Sequence, residues 1–152
     1  MTRFLPAVQA SDALHALLTA YYREGEDADT PQSELDAFIA YLTELLEQHI
    51  LMGEIIYEDD MPLGFVLYAK DGEGYPFSEC PGMGTIAEIA VAPEARGKGL
   101  GSLLVRRAEE ALQPSVTLMY ICAHDSARGF WEKCGYRTTG RIAGNGLPIC
   151  VK

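Results

Sequence analysis

The stretch IAEIAVAPEARGKGLGSLLVRRAEEAL, residues 86–112, predicts a strand, a glycine-rich turn and a helix in direct succession. Thr85–Ala92 is β-like and nearly uncharged, as expected of a strand in the middle of a sheet, and Pro93 ends it. Apolar residues then recur at helical spacing along one face: Leu100, Leu103, Leu104, Ala108, Ala111 and Leu112. The sequence therefore predicts a strand–turn–helix unit at the centre of the fold.

The turn of this unit, ARGKGLGS at Ala95–Ser102, has the composition of an anion-binding site. Its three glycines at alternate positions let successive N–H groups point to one side without interference from Cβ atoms. The start of a helix adds free N–H groups and the positive end of the helix dipole, and Arg96 and Lys98 add charge. We interpret the turn as a site for a phosphate or pyrophosphate. A flexible turn with solvated cations is the alternative.

Two common nucleotide-binding patterns do not fit this turn. The P-loop pattern GxxxxGK[ST] is absent, and GxGxxG fails because Ser102 or Leu104 stands where the third glycine is required. The pattern that fits is Arg/Gln-x-x-Gly-x-Gly/Ala, formed by Arg96, Gly99 and Gly101. A nucleotide-binding protein of another kind remains an alternative.

The other segments predict a mixed α/β fold, with helices on both faces of a central sheet. Further strands are expected at Phe4–Val8, Met52–Tyr57, Leu63–Lys70, Val116–Ala123, Tyr136–Ile142 and Leu147–Val151. Further helices are expected to begin near Ser11, at Thr30-Pro31 and at Asp125 or Ser126. The predicted order is β-α-α-β-β-β-α-β-α-β-β. Because Pro148 lacks an N–H donor, the last strand is expected to be weak or to lie at an edge.

The overall composition favours a single cytoplasmic domain. The chain has 152 residues, enough for one domain with a real core. No apolar run approaches the roughly 18–20 residues that span a membrane, and the first residues lack the apolar segment of a signal peptide. The four cysteines form no CxxC pair, so we expect free thiols and no metal site.

Charge is distributed unevenly along the chain. The net charge of −10 disfavours nucleic acid as a partner. Residues 1–94 contain 18 acidic and 3 basic residues, a net charge of −15, whereas residues 95–152 contain 4 acidic and 9 basic residues, a net charge of +5. We infer that one half of the molecule meets a cation and the other an anion. An acidic face that only serves solubility is the alternative.

Two segments resemble the motifs of GNAT-type N-acetyltransferases. Residues 86–112 are similar to the acetyl-CoA-binding motif of that family. HDSARGFWEKCGY, residues 124–136, resembles its Asn-x-x-Ala-x-x-x-Tyr-x-x-x-Gly-Phe segment. The clear match covers about Thr85–Tyr136, and the N-terminal half agrees in element order. The resemblance implies a mixed sheet whose two middle strands splay apart into a V-shaped cleft.

The resemblance also implies where acetyl-CoA, as co-substrate, binds. The pantetheine arm is expected along the first splayed strand, against the backbone of Ile89, Ala90 and Val91. The pyrophosphate is expected on the backbone amides of the turn: Arg96, Gly97, Lys98, Gly99, Leu100, Gly101 and Ser102. His124 aligns with the Asn of the family motif. Contact with the cofactor and a solvated histidine at a strand end both remain open.

Direct acetyl transfer, which the resemblance implies, needs groups that move protons. Glu88, the one acid inside the central strand, is a candidate general base on the side opposite its apolar neighbours. A carboxylate satisfied by a neighbouring element is the alternative. Trp131 stands where the family has a Tyr that protonates the leaving thiolate, and an indole cannot supply that proton near neutral pH. Tyr120, Cys134 or water are the candidate replacements.

These observations predict an N-acetyltransferase that moves the acetyl group of acetyl-CoA to a primary amine of a small molecule or a peptide. The alternative is a non-catalytic acetyl-CoA-binding sensor or partner module, which the departure at Trp131 keeps open. Tyr21, Tyr22 and the acidic loop Glu24–Asp29 are candidates for the acceptor side, where acids suit an amine or polyamine. A solvated loop is the simpler interpretation. Neither nucleic acid nor a membrane is expected as a partner, and a homodimer stays open.

Overall fold

The computed structural model describes residues 1–25 and 27–152, and within them seven strands and four helices follow one another in the predicted order. The strands are β1 (Thr2–Pro6), β2 (Met52–Glu58), β3 (Met61–Lys70), β4 (Gly84–Val91), β5 (Met119–Cys122), β6 (Arg137–Ile142) and β7 (Pro148–Val151). The helices are α1 (Ser11–Glu24), α2 (Gln32–Glu47), α3 (Leu100–Leu112) and α4 (Arg128–Lys133).

The seven strands form one mixed sheet in the order β1-β2-β3-β4-β5-β7-β6. Only β4 and β5 run parallel, and they pair at two positions, Gly84 with Met119 and Thr85 with Tyr120. Beyond Thr85 the two strands separate, so one backbone edge of β4 has no strand partner in the described part of the chain. This separation confirms the predicted V-shaped splay between the middle strands.

Helices cover both faces of the sheet, as predicted. α1 and α2 pack with β2 and β3 in one apolar cluster, which includes Leu14, Ile39 and Phe65. α3 and α4 pack on the other face in a second cluster, which includes Leu104 and Trp131. Among residues 1–25 and 27–152, no helix has both the length and the apolar character that crossing a bilayer requires.

The prediction for the last strand was wrong in one respect. β7 lies inside the sheet between β5 and β6, and β6 forms the edge. Pro148 is tolerated because it is the first residue of β7, where a missing N–H group interrupts no inner rung of the ladder. Several other bounds differ from the prediction: β1 and β3 each begin two residues earlier than expected, β5 is confined to Met119–Cys122, and the remaining strands shift by at most one residue at either end.

α3 is fixed to the sheet by a polar contact as well as by its apolar face. The Arg107 guanidinium donates two hydrogen bonds to the Glu54 carboxylate of β2, at 2.7 and 2.8 Å. It also lies 3.7 Å above the centre of the Phe4 ring. A bidentate, partly buried pair of this kind restricts orientation more than a single contact does. The turn that precedes α3 is therefore attached to a well-held helix.

Candidate active site

The splay between β4 and β5 opens a cleft with a volume of about 1630 Å³. This exceeds the ~300–1,000 Å³ of a typical drug-sized site, so the cleft has room for two substrates. β4 lines its floor from Thr85 to Val91. One end is formed by the turn before α3 together with the segment from His124 to Trp131, and we call it the cofactor end. The other, the acceptor end, is formed by α1, α2 and the loop after β3.

The turn before α3 presents free backbone N–H groups at the cofactor end. Within the described residues, no acceptor meets the N–H groups of residues 99–102 at hydrogen-bonding distance and angle. Gly97 and Gly99 both have φ of +79°, and a Cβ atom at either position would point into open space. A site lined by unpaired N–H groups at a helix start, with no side chain in the way, fits a pyrophosphate.

The two cations of this turn behave differently from each other. The Arg96 side chain donates to the Val91 carbonyl at 2.9 Å and to the Glu24 carboxylate at 2.9 and 3.2 Å. Arg96 therefore links the turn to the end of α1, and its charge is partly balanced. Lys98 is exposed. The backbone N–H groups, more than the Arg96 side chain, are free to meet an anion.

The remaining predicted cofactor residues lie along the same cleft. Ile89, Ala90 and Val91 line it and are partly exposed, next to the unpaired edge of β4. Gly101 also lines it and lies close to α4, because a Cβ atom there would be 3.0 Å from the Phe130 ring. His124 is exposed at the end of β5 and faces the cleft. The contacts of these residues with a cofactor stay a prediction.

A β-bulge in β4 sets the direction of Glu88. Leu67 of β3 pairs with Glu88 and the next residue, Tyr68, pairs with Ile86, so Ala87 is an extra residue in β4. Bulges of this kind redirect side chains near functional sites. The sequence analysis did not identify this bulge, because no glycine marks it.

Glu88 faces α1, on the side of β4 opposite to Ile89 and Val91. Burial raises the pKa of the Glu88 carboxyl from its ordinary value of 4.5 to about 7, although the hydroxyl groups of Tyr21 and Tyr22 lower it in part. Burial and the nearby Glu88 charge raise the pKa of both tyrosines, so they remain protonated. A carboxyl group that titrates near neutrality is suited to accept a proton at physiological pH.

Trp131 is part of the core that supports the cleft. It is 6% exposed, and its ring makes edge contacts with Phe130 at 5.0 Å and with Tyr136 at 5.3 Å between ring centres. Tyr136 is buried, as the sequence predicted, and donates a 2.7 Å hydrogen bond to Glu109. Trp131 borders the cleft but offers only an indole N–H group, which has no proton to release near neutral pH.

Of the two side chains considered as replacement acids, Tyr120 is engaged by another residue and Cys134 lies outside the cleft. The Tyr120 hydroxyl donates a 2.7 Å hydrogen bond to the buried Asp71 carboxylate, and burial together with this bond raises the pKa of Tyr120. Cys134 does not line the cleft, and burial raises the pKa of its thiol. Their role in proton transfer stays a prediction, which these contacts do not favour.

The acceptor end contains residues that the sequence analysis missed. Phe38, Tyr75 and Phe77 line it beside the expected Tyr21 and Tyr22. Phe38 lies in α2, and the other two lie in the loop between β3 and β4, where no motif marks them. No sequence signal connects these three rings, since they come together through the tertiary fold.

Comparisons with known proteins agree with this architecture. The profile of the acetyltransferase (GNAT) family matches residues 11–136. A peptidyl-lysine N-acetyltransferase, YjaB of Salmonella typhimurium LT2, is 28% identical over 127 residues, which cover 82% of this chain and 77% of that protein.

Two solved structures share the fold. A GCN5-related N-acetyltransferase from Ralstonia eutropha JMP134 has a TM-score of 0.75 and 21% identity, covering 94% of this chain and 97% of the other. The PaiA N-acetyltransferase from Thermoplasma acidophilum, in complex with coenzyme A, has a TM-score of 0.72 and 11% identity, covering 100% and 98%.

Proposed function

The chain belongs to the GNAT acetyltransferase family, and from that membership we propose that it transfers the acetyl group of acetyl-CoA to a primary amine. The observation that supports this most is the coincidence of three features in one cleft. They are the free N–H groups of residues 99–102, the unpaired edge of β4, and a carboxyl group, Glu88, with a pKa of about 7.

The chain's own groups can hold acetyl-CoA by its phosphates and its arm. The N–H groups at the start of α3 meet the pyrophosphate, and the helix dipole favours the negative charge. The unpaired backbone edge of Ile89–Val91 offers N–H and C=O groups to the amide groups of the arm. When bound, acetyl-CoA supplies an activated acetyl thioester that a neutral amine can attack.

Glu88 prepares the amine for that attack. A primary amine enters the cleft mainly as an ammonium ion near neutral pH, and it is not nucleophilic until it loses a proton. The Glu88 carboxylate accepts one proton from the ammonium nitrogen, directly or through a water molecule. Because its pKa is about 7, Glu88 is largely ionised just above neutrality and still basic enough to take the proton.

The departing thiolate does not need a side-chain acid. A thiol has a pKa of about 8.5, so the thiolate can depart unprotonated when the C–S bond breaks. It then takes, directly or through water, the second proton that the nitrogen loses as it becomes an amide. This is consistent with Trp131, which holds no transferable proton, and with the engagement of Tyr120 by Asp71. The transfer therefore depends on one base, Glu88.

Trp131 is also the observation that favours the second candidate, a non-catalytic acetyl-CoA-binding module. A thiol-release assay with acetyl-CoA and a panel of small amines, lysine peptides and peptide N-termini separates the two. We expect release of free CoA that depends on both acetyl-CoA and an amine. Tight acetyl-CoA binding in calorimetry, combined with no amine-dependent release, would establish the binding module instead.

A further inference from the structure

One side of the acceptor end is a continuous row of aromatic rings, which we call the aromatic wall: Tyr22, Phe38, Phe77 and Tyr75. The ring centres of Tyr22 and Phe38 are 5.8 Å apart, those of Phe38 and Phe77 are 6.4 Å apart, and those of Phe77 and Tyr75 are 5.7 Å apart. All three contacts are edge-to-face, the arrangement that aromatic pairs prefer. The wall therefore holds its shape through mutual contacts between rings from α1, α2 and the loop after β3.

The outer part of the wall is open to solvent. Phe38 is 37% exposed and Phe77 is 39% exposed, and the neighbouring Tyr41, whose ring centre lies 6.4 Å from that of Phe77, is 39% exposed. Single exposed apolar residues are common on protein surfaces, but a cluster beside a cleft is typical of a ligand-binding groove. These rings are available to cover an apolar group of a substrate.

Hydrogen bonds to the buried Asp71 carboxylate hold the loop that carries Phe77. Asp71, at the start of this loop, accepts hydrogen bonds from the N–H groups of Glu79 and Cys80 at 2.9 and 2.8 Å and from the Tyr120 hydroxyl. Asp71 is 1% exposed, so these contacts are shielded from water. Because the loop is fixed on both sides of Phe77, the ring is positioned before any ligand arrives.

The interior of the acceptor end is apolar. Leu42, Leu51 and Leu67 line it and are otherwise buried in the core. Each buried CH₂ group contributes about fourfold to binding, which corresponds to ~0.8 kcal/mol. A hydrocarbon chain or ring gains affinity here, whereas a second charged group would lose its hydration without a partner.

Carboxylates line the cleft beside this apolar surface, and one of them, Glu24, is paired with Arg96. Glu88 and Asp27 line the cleft, and the Tyr22 hydroxyl, which is buried, has no hydrogen-bond partner among residues 1–25 and 27–152. Glu79 also lines the cleft, but its carboxylate accepts the N–H group of Gly144 at 2.7 Å. One ammonium group near Glu88 would meet the carboxylate and the free Tyr22 hydroxyl together.

We propose that the acceptor is a primary amine with one positive charge and an apolar, ring-containing body, whose ring lies on the aromatic wall while its nitrogen faces Glu88. This inference rests on the proposed acetyl transfer and names the substrate class for it. The same geometry disfavours a polyamine, because its second ammonium group would lie against the apolar rings. The other carboxylates of this end, Glu24, Asp27 and Glu79, already accept hydrogen bonds within the protein.

Three small amines test the proposal: 2-phenylethylamine, n-butylamine and 1,4-diaminobutane. We expect kcat/KM for 2-phenylethylamine to exceed that for n-butylamine by about tenfold or more, because the ring buries additional apolar surface. We expect 1,4-diaminobutane, which differs from n-butylamine by its second ammonium group, to be about tenfold worse. A preference for 1,4-diaminobutane, or for a lysine peptide over 2-phenylethylamine, would overturn the proposal.

Phe77→Ala tests the wall itself. It should lower kcat/KM for 2-phenylethylamine about fivefold more than kcat/KM for n-butylamine, mainly through KM. The matched control is Leu118→Ala, at a residue that is 53% exposed and does not line the cleft, and it should change neither amine. An unchanged preference in Phe77→Ala would contradict the proposed contact.

Calorimetry of 2-phenylethylamine binding in the presence of CoA separates this inference from the proposed function. Binding that weakens in Phe77→Ala, without any turnover, would support the amine site and overturn the transfer reaction. Turnover of other amines, with no binding of 2-phenylethylamine, would support the transferase and overturn the substrate class. Because binding and turnover are measured separately, each result can be interpreted without the other.

Discussion

Glu88→Gln removes the proposed base while it keeps the size and shape of the side chain. The Glu88 carboxyl has a pKa of about 7, so close to 1% of it is ionised at pH 5 and about 90% at pH 8. For the wild type, kcat/KM should therefore rise about 50-fold from pH 5 to pH 7 and then level toward the limit set by the amine. With glutamine at position 88 this rise should disappear, and kcat/KM at pH 8 should fall by about 10²-fold, which corresponds to ~2.7 kcal/mol.

The assay is thiol release at saturating acetyl-CoA across pH 5–9, with circular dichroism to verify folding. Glu94→Gln is the matched control, since it removes an exposed carboxylate just beyond β4 and should leave the profile unchanged. Trp131→Phe should lower kcat/KM by less than about tenfold, because it loses ring contacts but no proton donor. If Glu88→Gln kept the wild-type profile while Trp131→Phe abolished turnover, the assignment of the base would be wrong.

Three further predictions concern the turn before α3, the Tyr120 hydrogen bond and the charge of the cleft. Gly99→Val should weaken acetyl-CoA binding in calorimetry by about 30-fold, ~2 kcal/mol, because a side chain at φ +79° is strained and blocks the N–H groups. The control is Gly140→Val, at φ +83° in β6 and equally open, which should bind acetyl-CoA normally. Tyr120→Phe should lower the free energy of unfolding in urea by about 1–3 kcal/mol, because Asp71 loses a hydrogen bond, and should change kcat/KM by less than about threefold. A large loss of kcat at unchanged stability would identify Tyr120 as the acid instead. KM for a cationic amine should rise severalfold as salt shortens the screening length from about 10 Å at 0.1 M to 3 Å at 1 M; a KM that does not depend on salt would show that the acids of the cleft do not attract the amine.

The sequence predicts the centre of the fold because the information there is local. Residues 86–112 combine an uncharged strand, a proline stop, alternate glycines and a helical apolar face, and each of these acts within a few residues. The structure has β4 and α3 at the expected places, and in the part of the chain that it describes the N–H groups at the helix start have no acceptor. Alternation counted back from Ile89 also predicts that Glu88 lies on the opposite side of β4, but the bulge at Ala87, which interrupts the alternation before it, was not predicted.

The remaining features depend on contacts between residues that are distant in sequence. Arg96 binds Glu24, 72 positions away, so the turn that the sequence predicts as an anion site is also linked to α1, which no local pattern indicates. Tyr120 donates to Asp71, 49 positions away, which no local pattern reveals. Strand order is likewise a tertiary property, and for this reason the edge position predicted from Pro148 was wrong.

The aromatic wall, which we propose as part of the acceptor site, could not be predicted from local sequence either. Its rings come from α1, α2 and the loop after β3, and each is unremarkable within its own segment. Composition indicated a cationic partner through the excess of acids in residues 1–94, but it could not indicate the apolar body that we propose for the acceptor. That distinction depends on which side chains the fold brings to the same end of the cleft.

The most direct test of the account is mass spectrometry of the amine after incubation with the protein and acetyl-CoA labelled in the acetyl group. The account predicts that the label appears on the primary amine nitrogen, in amounts equal to the free CoA released, and that Glu88→Gln reduces both by about 10²-fold. Binding of acetyl-CoA with no label on any amine, or label transfer that is unchanged in Glu88→Gln, would contradict it.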